Sequence, residues 1–194
     1  MLDMKLLEFK DIHKGQAAWI VGKGLSLEKL KHSDIGDGII ITLNSAIIKI
    51  EELEFNNVTY SMQKDGSSPW AINNCMYQTC EHCPYGMPMP KKAILLVHEL
   101  ESINCKPDYK PRYVFNNNDL GLAWNDFSAL SSIRLAQYFG CNKFNFVSFD
   151  AVTHGDIKNT YDEVAKNGLV EYMHQAIVMK EFIKDLNHKF ITPC

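Results

Sequence analysis

The residues Ala17-Ala18-Trp19-Ile20-Val21 form an uninterrupted apolar run that stops at Gly22-Lys23-Gly24. A run this short, closed by glycines, reads as a buried strand entering a tight turn. The pattern recurs along the chain. Ile39 to Leu43 follows Asp37-Gly38 and ends at Asn44, and Val58 to Met62 ends at Gln63-Lys64-Asp65-Gly66. Ala93 to Val97 and Tyr113 to Phe115 come next, Phe144 to Phe149 stops at Asp150, and Phe190-Ile191 closes the series. Helical spacing fills the intervals. Ser26 before Leu27, Glu28 and Leu30 suits a short helix capped by the Ser26 hydroxyl. Ser45 to Leu53 has a helical period through Ile47 and Ile50. Leu120 to Phe139 keeps one through Leu122, Trp124, Phe127, Leu130, Ile133, Leu135 and Tyr138, with Gly140 as its stop. A long segment from Tyr161 to Leu186, interrupted at Gly168, completes the set. Buried strands alternating with helices predict one α/β domain over residues 1–194, Rossmann-like, with a mostly parallel sheet and helices on both faces.

The chain has 194 residues, 46% of them hydrophobic and 22% charged, enough for a single core without crosslinks. Its formal charge of -3 gives no basic face for nucleic acid. Arg112 and Arg134 are the only two arginines among 20 basic residues, so planar forks for bidentate phosphate recognition are scarce. Phosphate, if bound, falls to backbone, hydroxyls or lysine. No stretch approaches the ~20 apolar residues of a membrane span, and Met1 to Gln16 lacks the hydrophobic core of a signal peptide. A cytoplasmic setting is expected, and with it thiols or metal ligands rather than disulfides for the six cysteines.

In open parallel sheets ligands sit beyond the carboxyl ends of the strands. Gly22, Gly24, Ser26, Asn44, Asp65, Asn116 and Asp150 fall there, an unusually polar set for the ends of apolar strands. Gly22-Lys23-Gly24-Leu25-Ser26 is suited to cradling a phosphate, since glycines let backbone amides approach an anion at a helix start. An ordinary tight turn explains so short a motif equally well.

Ala18-Trp19-Ile20-Val21-Gly22-Lys23-Gly24-Leu25-Ser26-Leu27 resembles the opening G-x-G-P-S-L of bacterial CMP-sialic acid sialyltransferases and of the MptE-like domain. That domain is shared by 6-hydroxymethylpterin diphosphokinases and flagellin glycosyltransferases. Ser128, Gly140 and Asp150 resemble the group's serine opening a helix, glycine ending it, and aspartate closing the next strand. Asn44 matches the group's nucleotide-binding asparagine by order. The resemblance implies a nucleotide-sugar-dependent glycosyltransferase, CMP-activated, that needs no cofactor and uses an acceptor of unknown identity. Gly22, Lys23, Gly24, Ser26, Asn44, Asp65 and Ser128 would bind the nucleotide, with Asp150 and a histidine, His154 or His174, in the catalytic role. His154 lies nearer the inferred site, while His174, beside Met173 and Ile177, also reads as a partly buried packing residue. Leu25 stands in place of the group's proline, Phe149 in place of the glycine before the aspartate, and Val152 in place of a tyrosine. Two other functions stay open: a magnesium-dependent pyrophosphokinase using Asp65, Asp150 and Asp156, and a non-catalytic nucleotide-binding protein.

Residues 67–90 break the alternation with Pro84, Pro88, Pro90 and a cysteine cluster, and read as an insertion or lid. Cys80 and Cys83 have CxxC spacing, and Cys75 precedes them by five residues. The expectation is free thiols in a mobile lid, with a structural zinc on these cysteines, completed by His82 or Cys105, as the alternative.

Overall fold

The structure, a computed structural model, describes residues 4–64, 90–99, 112–123, 126–154 and 169–194. Among the described residues lie eight strands, β1 (Met4–Lys5), β2 (Ala17–Val21), β3 (Ile39–Leu43), β4 (Thr59–Gln63), β5 (Ile94–His98), β6 (Arg112–Phe115), β7 (Lys143–Val147) and β8 (His188–Ile191). They lie in one sheet in the order β1-β6-β5-β4-β3-β2-β7-β8. Every neighbouring pair is parallel. From β2 the chain builds outward through β3, β4, β5 and β6, then returns to the other side of β2 for β7 and β8. The winding direction therefore reverses between β2 and β7.

The strands are apolar throughout because both faces are covered. Ala18 and Ile20 point into one core with Ile39, Ile41 and Phe146. Trp19 and Val21 point into the other with Ile40 and Val147. Helices α2 (Ser128–Tyr138) and α4 (Leu169–Ile183) close the first core with Leu130, Ile133, Ala136, Ala176, Met179 and Ile183. Ile50 of α1 (Ile47–Glu52) closes the second with Leu27 and Leu30. A Rossmann-like α/β fold results. No helix among the described residues is long and apolar enough to cross a membrane.

Several boundaries differ from those the sequence predicts. β4 and β5 begin and end one residue later than expected. The helix expected from Leu120 starts only at Ser128. Residues 118–120 form a 3-10 turn instead, because Asn117 accepts the Leu120 and Leu122 amides (3.1 and 2.9 Å) and holds the chain in a loop. Phe144 to Phe149 does not continue as a strand: β7 ends at Val147, Ser148 adopts a left-handed φ of 59°, and Asp150 opens the short helix α3 (Asp150–Thr153). Met4–Lys5, absent from the expected strands, pairs with β6 and makes the sheet edge. The insertion read over 67–90 and the break expected at Gly168 lie outside the described residues, Pro90 excepted.

Candidate functional site

Three neighbouring strands end in a glycine or a left-handed polar residue. β2 runs into Gly22, β3 into Asn44 at φ 50°, and β7 into Ser148 at φ 59°. Left-handed conformation is costly for a residue with a side chain, and it concentrates where the surroundings enforce it for function. Asn44 and Ser148 are both buried, at 7% and 1% exposure. The Ser148 hydroxyl and that of Ser45, next to Asn44, are buried without a hydrogen-bond partner among the described residues. Buried orphan hydroxyls are uncommon. Both occur at the carboxyl edge of the sheet, on either side of the reversal.

The loop after β2 is closed onto the loop after β7. The Gly22 amide donates to the Val147 carbonyl (2.8 Å) and the Gly24 amide to the Ser148 carbonyl (3.0 Å). The Ser26 amide and hydroxyl donate to the two oxygens of the Asp150 carboxylate, at 2.7 and 2.6 Å. Ser26 therefore does not cap the short helix as expected. That element is a 3-10 turn over Leu25–Lys29, preceded by Gly24, and no side chain caps it. Ser26 instead forms a clamp with Asp150 across the reversal. The anion that the glycine loop holds is the protein's own carboxylate, favoured there by a charge-assisted pair of bonds.

The glycines serve this clamp. A Cβ on Gly24 would lie 2.6 Å from the Asp150 carboxylate and 2.6 Å from the Ser148 carbonyl, and one on Gly22 would lie 2.9 Å from that carbonyl. Gly24 has φ -58°, which any residue adopts, so space alone excludes a side chain.

His154 follows directly. Its amide donates to the Asp150 carbonyl (2.8 Å), which fixes the residue at the end of α3. The Thr153 hydroxyl donates to the Phe149 carbonyl (3.4 Å) and its oxygen lies 2.7 Å from His154 Nδ1. Thr153 thus engages Nδ1, which leaves Nε2 as the ring nitrogen turned to other partners. His154 is exposed, so that nitrogen is accessible. His174, on α4, is also exposed, with Met173 and Ile177 at 55% and 66%, which corrects the partly buried packing role.

On the β3 side, the Asn44 side-chain oxygen accepts the Lys64 amide (3.1 Å), tying the ends of β3 and β4 together. Lys64 is itself buried, and its ammonium donates to the Asp126 carbonyl two residues before Ser128. Ser128 opens α2 as expected. Since α2 leads from the end of β6 back to the start of β7, its N-terminus lies at the carboxyl edge. Asn117 braces that approach, accepting from the Ser131 hydroxyl (2.8 Å) and donating to the carbonyls of Ala123 and Asp126.

Sequence reasoning singled out Gly22, Gly24, Ser26, Asn44, Ser128, Asp150 and His154, and the structure sets all of them along this edge, with Lys23 half-buried in the same loop. Ser148, Ser45 and Lys64 were missed. Ser148 sits inside an apolar stretch and Lys64 inside a turn signal, so neither carries a mark of burial or strain. Asp65, Asp156, Cys75, Cys80, Cys83, His82 and Cys105 lie outside the described residues. A scan against protein-family models and a search of curated proteins both return no match for this chain.

Proposed function

We propose that this chain is a nucleotide-sugar-dependent transferase that binds a CMP-activated donor across the carboxyl edge of the sheet and passes the sugar to an acceptor hydroxyl. The observation that carries this reading is the edge itself. At the reversal of a parallel sheet, two flanking strands end in buried, left-handed polar residues, Asn44 and Ser148, around a glycine loop. Ser26 and Asp150 serve as the clamp that shapes the floor, rather than Ser26 holding the donor phosphate. The nucleotide then lies toward Asn44 and Ser128, with the backbone of Gly22, Lys23 and Gly24 beside it.

In the transfer, the acceptor O–H loses its proton to Nε2 of His154 as its oxygen bonds to the sugar carbon. The bond from that carbon to the phosphate oxygen breaks, and its electron pair leaves with CMP.

A thermal-shift panel of CMP, UDP and ATP, each with magnesium and with EDTA, tests the reading. A ligand at 100 times its Kd should add ~2.7 kcal/mol of stability. Metal-independent stabilisation by CMP is expected. Stabilisation by ATP with magnesium alone would replace the transferase by a pyrophosphokinase, and no shift with any nucleotide would overturn the reading. His154→Ala should leave stability within about 0.5 kcal/mol, as for an exposed residue. With CMP-sugar and a productive acceptor, it should slow transfer by roughly 10²–10⁴-fold.

A further inference from the structure

The amino edge of the sheet holds a buried titratable side chain that a transferase has no use for. His13 is 8% exposed, in the lead that runs from β1 to Gln16 and lies against the end of α2. The amides of Asp11, His13 and Gly15 donate to the carbonyls of Tyr138, Phe139 and Gly140 at 3.0, 2.8 and 2.9 Å. The Asn142 amide donates back to the Gln16 carbonyl at 3.2 Å. At its other end the lead pairs with β6 through Met4 and Lys5 alone. Leu6 and Phe9 enter the first core, while Leu7 and Ile12 are exposed.

Among the described residues no charged group answers the His13 ring. Its Nε2 lies 2.6 Å from the Tyr60 hydroxyl of β4, and the ring packs edge-on to Tyr60 and Phe139 with centroids 5.7 and 6.2 Å apart. Burial keeps Tyr60 protonated, and Cys141 after α2 and Tyr113 of β6 add to that effect. The Cys141 thiol is held neutral by burial as well. Gln16, on the lead itself, also bonds to the ring, and Lys10, Asp11 and Lys14 of the same segment are exposed. A proton on His13 therefore places a charge among neutral partners, at a cost that an opened, hydrated ring does not bear.

We propose that His13 is an acid-released latch: on protonation the lead from Met4 to Gln16 comes away from the end of α2 and from β6 as a unit, ahead of the rest of the sheet. Release bares the edge of β6 and the rings of Tyr60 and Phe139. The lead is suited to open alone, because it precedes β2 and the crossovers that build the sheet from β2 to β8 do not pass through it. Opening takes up one proton. From about pH 6.5, the value of an open imidazole, down to the lower value that burial gives the closed state, the open population should rise by up to about tenfold per pH unit. Above about pH 6.5 the latch stays closed.

Amide hydrogen exchange read by NMR from pH 7.5 to 5, corrected for its intrinsic pH dependence, tests the latch in the wild type and in His13→Gln. In the wild type, protection at Asp11, His13 and Gly15 should be lower than at Ile41 of β3 and Phe146 of β7 at every pH, and should fall by up to about tenfold per unit below about pH 6.5. In His13→Gln that fall should be absent. Equal protection in the lead and at Ile41 and Phe146 would mean that the lead opens only with the whole chain, and would overturn the release. No fall in the wild type, or the same fall in His13→Gln, would overturn the role of His13. Should His13→Gln not fold, labelling of wild-type thiols by methyl methanethiosulfonate takes its place. Cys141 is buried between Gly140 and Asn142, both bonded to the lead, and Cys194 is exposed. The rate at Cys141 relative to Cys194 must rise as pH falls below about 6.5, and a constant ratio would reject the latch.

Discussion

At the amino ends of the strands, His13, Tyr60 and Cys141 are packed among rings, whereas at the carboxyl ends Asn44, Ser148 and Asp150 sit in strained or clamped backbone. The amino end is settled. Phe9 meets Tyr60, Tyr113 and Phe139 with ring centroids 5.8, 4.3 and 5.5 Å apart, and His13 Nε2 lies 2.6 Å from the Tyr60 hydroxyl. Backbone bonds from Asp11, His13 and Gly15 to Tyr138, Phe139 and Gly140 strap the N-terminal lead to the end of α2. Burial pushes the Cys141 thiol up to about 11 and the Tyr60 hydroxyl further, so both stay protonated and unreactive. The carboxyl end leaves two buried hydroxyls without a partner among the described residues and holds two polar residues left-handed and buried, whereas the left-handed Asp11 and Glu54 nearer the amino end are exposed. The contrast separates a packed aromatic end from an end where buried polar groups sit in strained or clamped backbone.

The sharpest way to break the contrast is Gly24→Val. Its Cβ meets a carboxylate and a backbone carbonyl at 2.6 Å, neither of which can swing aside. We expect a loss of about 3 kcal/mol, at the upper end of overpacking costs, measured by urea denaturation. Asp150→Ala comes next. It strands the Ser26 amide and hydroxyl and should cost about 2–3 kcal/mol, with Asp150→Glu failing to restore it because the extra methylene has no room.

At the opposite end Tyr60→Phe should cost about 1 kcal/mol by removing the bond to His13, without altering nucleotide binding. His13 also makes this end sensitive to pH. Burial lowers its pKa below 6.5, so the unfolded chain takes up the proton first. Its contribution is complete above about pH 6.5 and is lost as pH falls from there through the lower folded pKa. Thermal melts from pH 7.5 to 5 should show a smaller decline in His13→Gln than in the wild type.

The smallest effect has the opposite sign. Ser148→Gly removes a side chain from a left-handed position and an orphan hydroxyl from the interior, and should raise stability by about 0.5 kcal/mol. If the hydroxyl serves a ligand, the same change weakens binding. A gain in stability with undiminished binding would show that the strain at Ser148 has no function.

Much of the sheet was legible in the sequence because its strands are buried on both faces. Ala17–Val21 and Ile39–Leu43 stand out as apolar blocks bounded by Gly and Asn, and their limits match those expected. Legibility fails where tertiary contacts override local pattern. Leu122 and Phe127 continue the helical period of α2 backwards, yet Asn117 diverts that stretch into a loop. Met4–Lys5 is too short to carry any period and is a strand only because β6 offers an open edge. At the site, the glycines announced a close approach, but the approaching group is Asp150, 124 residues from its partner Ser26. No spacing rule reports a bond across that distance.

Backbone amide NMR shifts during a CMP titration test most directly whether a nucleotide is held at the carboxyl edge while the amino edge serves stability alone. Perturbations are expected at residues 22–26, 44–46, 64 and 148–154, with His13, Tyr60, Phe139 and Cys141 unmoved. Shifts gathered around His13 and Cys141, or none at residues 44–46 and 148–154 at saturating CMP, would contradict it.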